Sequence, residues 1–389
     1  MKAGWQIKKL GDICQTGSGG TPLKSKKEFY DKGNIPWLMS GEVGQGDVLA
    51  ATHFITKAGL ENSSARIFPK NTVLVAMYGA TAGEVGLLRF ESSTNQAVCG
   101  ISPNEHFIPE FLYFCLLSKK DELISQATGN AQPNISQIKI KNTKIPVPTI
   151  DEQQRIVTIL DEAFESIATA TANAKKNLTN ARELFESYLQ TIIENKGVNW
   201  KDKTLGDVCT LYQGIAINSK TKHALVEKSD LPLLRIKDLK NNTVEQYIDP
   251  NNYPVNALVN EDDILYTRTG SLGLVFRGKR GVLHNNSFKV VPNEELAKDY
   301  LFIWLQNPSF KSKIMKLALK AAQPDITHAI FKIQDIAIPP LKEQRLIIKK
   351  LDALSAETHR LEAIYQQKLT ALDELKKSIL NQAFSGQLN

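Results

Sequence analysis

With 389 residues, 42% of them hydrophobic and 23% charged, the chain is too long for one ordinary core and too apolar to stay disordered, so two to three packed domains are expected. Its most apolar short run, Phe111 to Leu117, falls far below the ~20 residues a bilayer needs, and Met1-Lys2-Ala3-Gly4-Trp5 starts no signal peptide, so a cytoplasmic location without membrane contact is expected. The net charge is +7, and the four cysteines and six histidines show neither C-x-x-C pairing nor metal-ligand spacing, which argues against a zinc centre and a disulfide framework.

In residues 1–150, short apolar runs such as Thr72-Val73-Leu74-Val75-Ala76-Met77 sit between Gly-, Asn- and Pro-rich segments and read as strands. Pro109 to Leu117 reads as one or two buried helical turns. Gly17-Ser18-Gly19-Gly20-Thr21-Pro22 lacks the Gly-Lys-Ser/Thr ending of a nucleotide P-loop and reads as a tight turn. Lys24, Ser25, Lys26 and Lys27 follow it, and Tyr78-Gly79-Ala80-Thr81 marks a second glycine turn. Asn130-Ala131-Gln132, like Ala322-Gln323 in the second half, leads into a helix and is turn structure or contact surface. An α+β domain is the result.

Ile145-Pro146-Val147-Pro148 closes this unit, because proline interrupts a strand or helix yet is tolerated at a helix start. Over 151–199 a helix follows, with apolar or small residues at Ile156, Leu160, Ala163, Ile167, Ala170, Ala174, Leu178, Ala181, Phe185, Tyr188 and Ile192. Steps of three and four sustained this long make a heptad seam, which a lone surface helix does not need. Asn195 and Gly197 mark its exit.

Residues 200–340 repeat the mixed pattern, with Asp263 to Thr267 as a strand and Lys298 to Leu305 as helical turns. Asn218, Ser219, Lys220, Thr221 and Lys222 stand where the first unit has its lysine run. Arg268, Thr269, Gly270 and Ser271, with Arg277, Gly278, Lys279 and Arg280, read as the densest basic cluster of this unit. After Ile338-Pro339-Pro340, residues 341–389 form a second heptad helix through Ile347, Leu351, Leu354, Thr358, Leu361, Tyr365, Lys368, Leu372, Leu375 and Ile379.

The two halves are copies. Trp5, Leu10, Gly11, Asp12, Ile13 and Cys14 return as Trp200, Leu205, Gly206, Asp207, Val208 and Cys209. Pro103-Asn104-Glu105 returns as Pro292-Asn293-Glu294, Glu152-Gln153 as Glu343-Gln344, and Leu160-Asp161 as Leu351-Asp352. So long a period means duplicated domains rather than solenoid units, which run roughly 20–50 residues. The economical partner of each long helix is the other, which would make them an antiparallel coiled coil in a pseudo-two-fold molecule. A helix of 44 residues spans ~66 Å, enough to hold two readers over major grooves about one DNA turn, ~34 Å, apart.

Charge is unevenly spread: +4 over 1–150, −3 over 151–200, +4 over 201–340 and +2 over 341–389. Two basic bodies on an acidic spacer suit polyanion binding, and equally suit an unremarkable basic surface. Lysines in the loops are placed to neutralise phosphates, hydroxyls and amides to position the backbone, and an arginine to take guanine O6 and N7. The alternative at each position is solvated loop charge. Asn307-Pro308-Ser309-Phe310 resembles the N-P-P-[FY] motif that holds a flipped adenine, but its middle proline is missing, it has no repeat partner, and no cofactor-binding glycine loop precedes it.

Two target-reading domains alternating with two long helices, each helix announced by Ile-Pro-x-Pro or Pro-Pro-Leu and Glu-Gln-[Gln/Arg], resemble the DNA specificity subunit of type I restriction-modification systems. The segment Ser378 to Leu388 is similar to that family's ending. The resemblance implies a non-catalytic subunit that binds double-stranded DNA at a bipartite asymmetric site, one half per domain, with the helices setting the spacer. It also implies no cofactor in this chain: S-adenosylmethionine would sit on two adenine-N6 methyltransferase subunits and ATP on restriction/translocase subunits. Two other readings stay open, a self-contained DNA adenine methyltransferase using Asn307 to Phe310 and a coiled-coil assembly protein without a nucleic-acid role.

Overall fold

The computed structural model describes residues 4–127, 134–319 and 323–388, the side chains of Ile193 and Glu194 excepted. Asn130-Ala131-Gln132 and Ala322 lie outside the described residues. The chain divides into two compact units, Met1–Ala174 with Gln367–Asn389, and Lys175–Gln366, so the division cuts through both long helices.

In the first unit, strand Gln6–Lys9 runs antiparallel to Lys144–Val147 and ties the start of the chain to the foot of the first long helix, Ile150–Glu194. A five-stranded sheet has the order Thr16–Ser18, Val98–Ile101, Val73–Ala76, Val85–Leu88, Gly46–Val48. Its central strand, Val73–Ala76, is buried along its whole length, which explains a continuous rather than alternating apolar run. A four-stranded sheet of Phe54–Ile55, Ile35–Leu38, Ser92–Thr94 and Ile67–Phe68 lies beside it in the chain path, Trp37 pairing in parallel with Ser93. The core joins Leu10, Val75, Phe111 and Leu116 to Ile156 and Leu160 of the first long helix and to Leu380 and Ala383 of the second.

The second unit has the same parts. Lys201–Thr204 pairs with Asp335–Ile338, and a four-stranded sheet runs Cys209–Gln213, Ser287–Pro292, Ile264–Thr267, Val275–Phe276. Leu233–Leu234, Gly281–Leu283 and Leu258–Val259 form a three-stranded sheet whose parallel pair, Leu233 with Val282, corresponds to Trp37 with Ser93. Tyr266, Phe288, Phe310 and Phe331 make an aromatic centre, and Leu189, Ile347 and Leu351 join the same core from the long helices. The architecture is α+β, built twice.

Within each unit the two long helices run antiparallel. Phe164 lies under the ammonium of Lys376 while Arg155 donates to the carbonyl of Leu388 in the first unit. In the second, Arg182 pairs with Glu362 at 2.6 Å, and Ile192 shares a core with Ile347 of Leu341–Ser385. Ile156, Leu160, Ile167, Ala174, Ala181, Ile347, Leu351 and Thr358 are buried; Leu178, Phe185, Ile192, Leu354, Leu361, Leu372 and Ile379 are half-buried.

Three seam positions differ from the strict heptad. Tyr188 is exposed and Leu189 takes its place, Lys368 is exposed, and Leu375 is 47% exposed while Lys376 lies over Phe164 and Leu380 and Ala383 are buried. A straight helix of 3.6 residues per turn drifts against a seven-residue repeat, and the inward face moves one position along each chain near its end.

The Glu-Gln motif that opens each helix is a joint. Gln153 Nε2 donates to the carbonyls of His106 (2.8 Å) and Pro148 (3.1 Å), and its Oε1 accepts from Ile108 N at 2.9 Å. Gln344 repeats this with Glu295 and Pro339 as acceptors and Ala297 N as donor, each bond 2.8 Å. Both amides are fully buried, and each fastens a long helix to its own globular unit.

Candidate nucleic-acid interface

The strand register decides where the polar loops go. In the first unit Ser18 pairs with Cys99 and Val98 with Ala76, so the segment after Ser18 and the segment after Ala76 leave the same end of the sheet. Lys24, Ser25, Lys26 and Lys27 lie exposed on the first, and Tyr78 (exposed) and Thr81 (half-buried) on the second. Lys26 lies 3.8 Å from Glu28 and 5.1 Å from the centre of the Phe29 ring. The opposite end of the sheet, at Ile101, continues to His106 and Ile108 and so to the joint at Gln153.

The glycine-rich segment that reads as a tight turn is something else. Thr16–Ser18 is a strand, and Gly17, Gly19 and Gly20 all lack positive φ. A Cβ on Gly19 would collide with the Thr94 backbone, and one on Gly20 with Ser64 and Ala65. Close backbone packing, not a turn, demands glycine here.

The second unit sorts its loops the same way. Gln213 pairs with Phe288 and Thr267 with Ser287, so the segment holding exposed Asn218, Ser219, Lys220 and Lys222 and the segment holding Arg268, Thr269 and Ser271 share one end of the sheet. Gly79 and Gly270 open equivalent turns at φ 76° and 72°. The duplicated turn is kept while its side chains differ, Tyr78 and Thr81 against Thr269 and Leu272.

One basic cluster falls apart. The antiparallel hairpin Ile264–Thr267 and Val275–Phe276 places Leu265 opposite Phe276, which sends Arg277 to the end of the sheet away from Arg268. Arg277 pairs there with Asp299, and with Asp262 at 3.4 Å. Lys279 donates to Asn242 Oδ1 at 2.6 Å, and Arg280 is exposed on the same turn. Arg277, Lys279 and Arg280 therefore do not stand with Arg268, because a two-stranded hairpin reverses the chain between them.

Arg268 is itself engaged. Its Nε donates to Asp325 Oδ1 at 2.9 Å, its Nη2 to the other carboxylate oxygen, and its Nη1 to Gln213 Oε1 at 3.3 Å. Neighbouring His328 is kept neutral to a lower pH than usual, chiefly by burial and then by the Arg268 charge. In the first unit Met77 and Asn134 take the places of Arg268 and Asp325: Ile135 N donates to Met77 O at 2.8 Å, as Ile326 N does to Arg268 O at 2.9 Å. Reading the sequence alone misses Gln137, which accepts from Ser18 Oγ at 3.3 Å and donates to Thr16 Oγ1 at 2.9 Å, and Arg66, which donates to Ser18 O at 2.9 Å. No periodicity marks such loop partners.

Asn307 is the cap of a helix. Its Oδ1 accepts from Phe310 N at 3.0 Å, Pro308 fills the first turn of Pro308–Ala318, and Asn307 and Phe310 are both buried, the Phe310 ring tilted against Trp304 at 4.5 Å between centres. Among the described residues no cluster of His, Cys, Asp and Glu could hold a metal ion, and no helix is long and apolar enough to cross a membrane.

The sequence profile of the family described as type I restriction modification DNA specificity domain matches residues 2–180 and again 197–371. The chain belongs to this family. Both specificity domains carry one globular unit and most of a long helix. Similar proteins include the MjaIX specificity subunit of Methanocaldococcus jannaschii, 23% identical over 415 aligned positions that cover 99% of this chain and 93% of the relative. The EcoKI specificity subunit of Escherichia coli is 23% identical, covering 100% and 90%. The EcoR124I/EcoR124II specificity subunit of Escherichia coli is 30% identical over 186 residues, 46% of each protein.

Among solved structures, one from work on assembly and conformational transition of the type I R-M system matches with a TM-score of 0.82 at 20% identity, covering 100% of this chain and 99% of that one. The HsdS subunit from Thermoanaerobacter tengcongensis matches with a TM-score of 0.63 at 18% identity, covering 100% and 98%. These likenesses establish a common fold. With the family match, they favour a specificity subunit over a self-contained methyltransferase or a coiled-coil protein without a nucleic-acid role.

Proposed function

We propose that the chain is the non-catalytic, sequence-reading subunit of a type I restriction-modification complex, binding one bipartite asymmetric double-stranded site with one half read by each globular unit. The observation that carries this is the pair of equivalent sheet ends, where one duplicated framework bears two different sets of exposed polar side chains. Lys24, Lys26, Lys27, Lys220 and Lys222 neutralise phosphates, while Ser25, Asn218 and Ser219 position the backbone. Tyr78, Thr81, Thr269 and Ser271, on the two glycine turns, meet base edges. Lys279 and Arg280 stand away from this face and contribute charge only.

Two methyltransferase subunits, carrying S-adenosylmethionine, assemble on the chain, and ATP-dependent restriction/translocase subunits join them in the cytoplasm. The test is a duplex panel offered to the purified complex, each half-site varied separately and salt titrated. Affinity that depends on both halves and falls steeply with salt supports this reading; indifference to the sequence of either half removes it.

A further inference from the structure

Arg268 is the first residue past the strand Ile264–Thr267, at the sheet end that carries Thr269 and the segment Asn218 to Lys222. Its main chain is held from two sides, the N–H donating to Asn286 O at 2.8 Å and the carbonyl accepting from Ile326 N at 2.9 Å. The side chain is held as firmly. Asp325, one residue before Ile326, takes Nε and Nη2 together. Gln213 Oε1 takes Nη1 at 3.3 Å, and its own Nε2 is tied to Asn285 O at 2.7 Å. About one-quarter of the arginine side chain stays exposed, so the group is oriented in advance without being sealed.

A guanidinium has five N–H donors. The carboxylate takes two of them along the Nε edge and Gln213 takes one, which leaves one N–H on each terminal nitrogen. Guanine answers two such donors in the major groove, because its O6 and N7 are both acceptors. Adenine sets a donor amine beside its N7, and cytosine and thymine offer no pair of acceptors.

The ion pair is not needed to form the turn. In the first unit Met77 and Asn134 stand at these places, yet the corresponding bond from Ile135 N to Met77 O is kept at 2.8 Å. One framework thus closes without charge in one copy and carries a clamped arginine in the other, which points to a contact that the second unit alone makes. A bare carboxylate at this face would repel phosphates; bonded to Arg268, Asp325 aims the guanidinium instead.

We propose that Arg268 is a specificity-determining residue that takes one guanine bidentately in the half-site of the second unit, with Asp325 and Gln213 as positioning residues. This rests on the reading that each unit meets its own half-site, and adds which base one half must contain and which side chain demands it. The first unit, with Met77 at that place, makes no such demand.

The test uses the assembled complex and a bound sequence selected from a randomised duplex pool. Each guanine of either strand is then replaced in turn by adenine and by 7-deazaguanine, which lacks the N7 acceptor and keeps base pairing. Expected in one half-site is a guanine where adenine weakens binding roughly 5- to 150-fold and 7-deazaguanine weakens it by a smaller factor. With Arg268→Met, the residue of the first unit, both effects vanish at that position, while the other half-site keeps its discrimination and so reports a folded chain. Asp325→Asn, which keeps the shape, is expected to discriminate at the same position by a smaller ratio. A wild-type complex that tolerates 7-deazaguanine everywhere, or an Arg268→Met complex that still prefers guanine at the sensitive position, would overturn the role of Arg268 while leaving sequence reading intact. The modified duplexes need no variant, so the first of these results decides even if Arg268→Met does not fold. Indifference of the wild-type complex to the sequence of either half would overturn the half-site reading and Arg268 together.

Discussion

The guanidinium of Arg268 lies fork to fork against the carboxylate of Asp325, and the corresponding places in the first unit hold Met77 and Asn134. The pair is about one-quarter exposed on each side, so it contributes roughly 0–1 kcal/mol to stability while fixing the direction of the Thr269 turn. Asp325→Ala frees the guanidinium toward the sheet end that bears Asn218 to Lys222. The expected outcome is an altered preference at one half-site with the other untouched, read by binding to duplexes varied one half at a time; equal loss at both halves would count against it.

Gln153 joins helix to globular unit through three bonds of one buried amide. Gln153→Ala leaves Ile108 N–H and two carbonyls without this partner, a loss of roughly 1–3 kcal/mol. Gln344→Ala is expected to cost the same, since its bonds are equivalent. Chemical denaturation of each variant checks this, and a midpoint unchanged in both would show that the joint carries no stability.

Asp161 supplies a pH test. Its carboxyl is raised above the ordinary 3.8 by burial and by Glu110 and Asp47, so the folded chain holds that proton more tightly than the unfolded one. Ionised Asp161 therefore costs the fold stability, fully so above the raised value and not at all below the ordinary one. Asp161→Asn is expected to melt higher than wild type at pH 7, with the difference shrinking as pH falls through that interval and gone at pH 3. A difference that grows toward acid pH would reverse the sign.

The thiols should be inert. Burial pushes Cys99, Cys115 and Cys209 up to about 12, and Cys14 is raised by burial against a weaker opposing hydrogen bond from Asn104. The reactive species is the thiolate, so iodoacetamide at pH 8 is expected to leave all four unmodified in the folded chain and to label all four after denaturation. Rapid labelling of any of them under native conditions would contradict this.

The long helices and central strands were legible because their signals are periodic or punctuated: Pro146 and Pro148 before one helix, Pro339 and Pro340 before the other, and an unbroken apolar run at Val73–Ala76. Loop placement was not, because nearness in sequence says nothing about which end of a sheet a hairpin reaches. Arg268 and Arg277 look like neighbours until the Leu265 to Phe276 register separates them. Gly19 and Gly20 look like a turn because glycine demanded by close packing and glycine demanded by positive φ leave the same letter. Leu375 looks like a seam residue because a heptad count ignores helical drift, which brings Lys376 over Phe164 instead.

That each globular unit reads its own half-site is tested most directly by exchanging residues 1–150 for the corresponding segment of another family member and mapping the bound sequence of the assembled complex. Expected is a new sequence in one half-site beside an unchanged second half. A change in both halves, or in neither, would contradict independent reading by the two units.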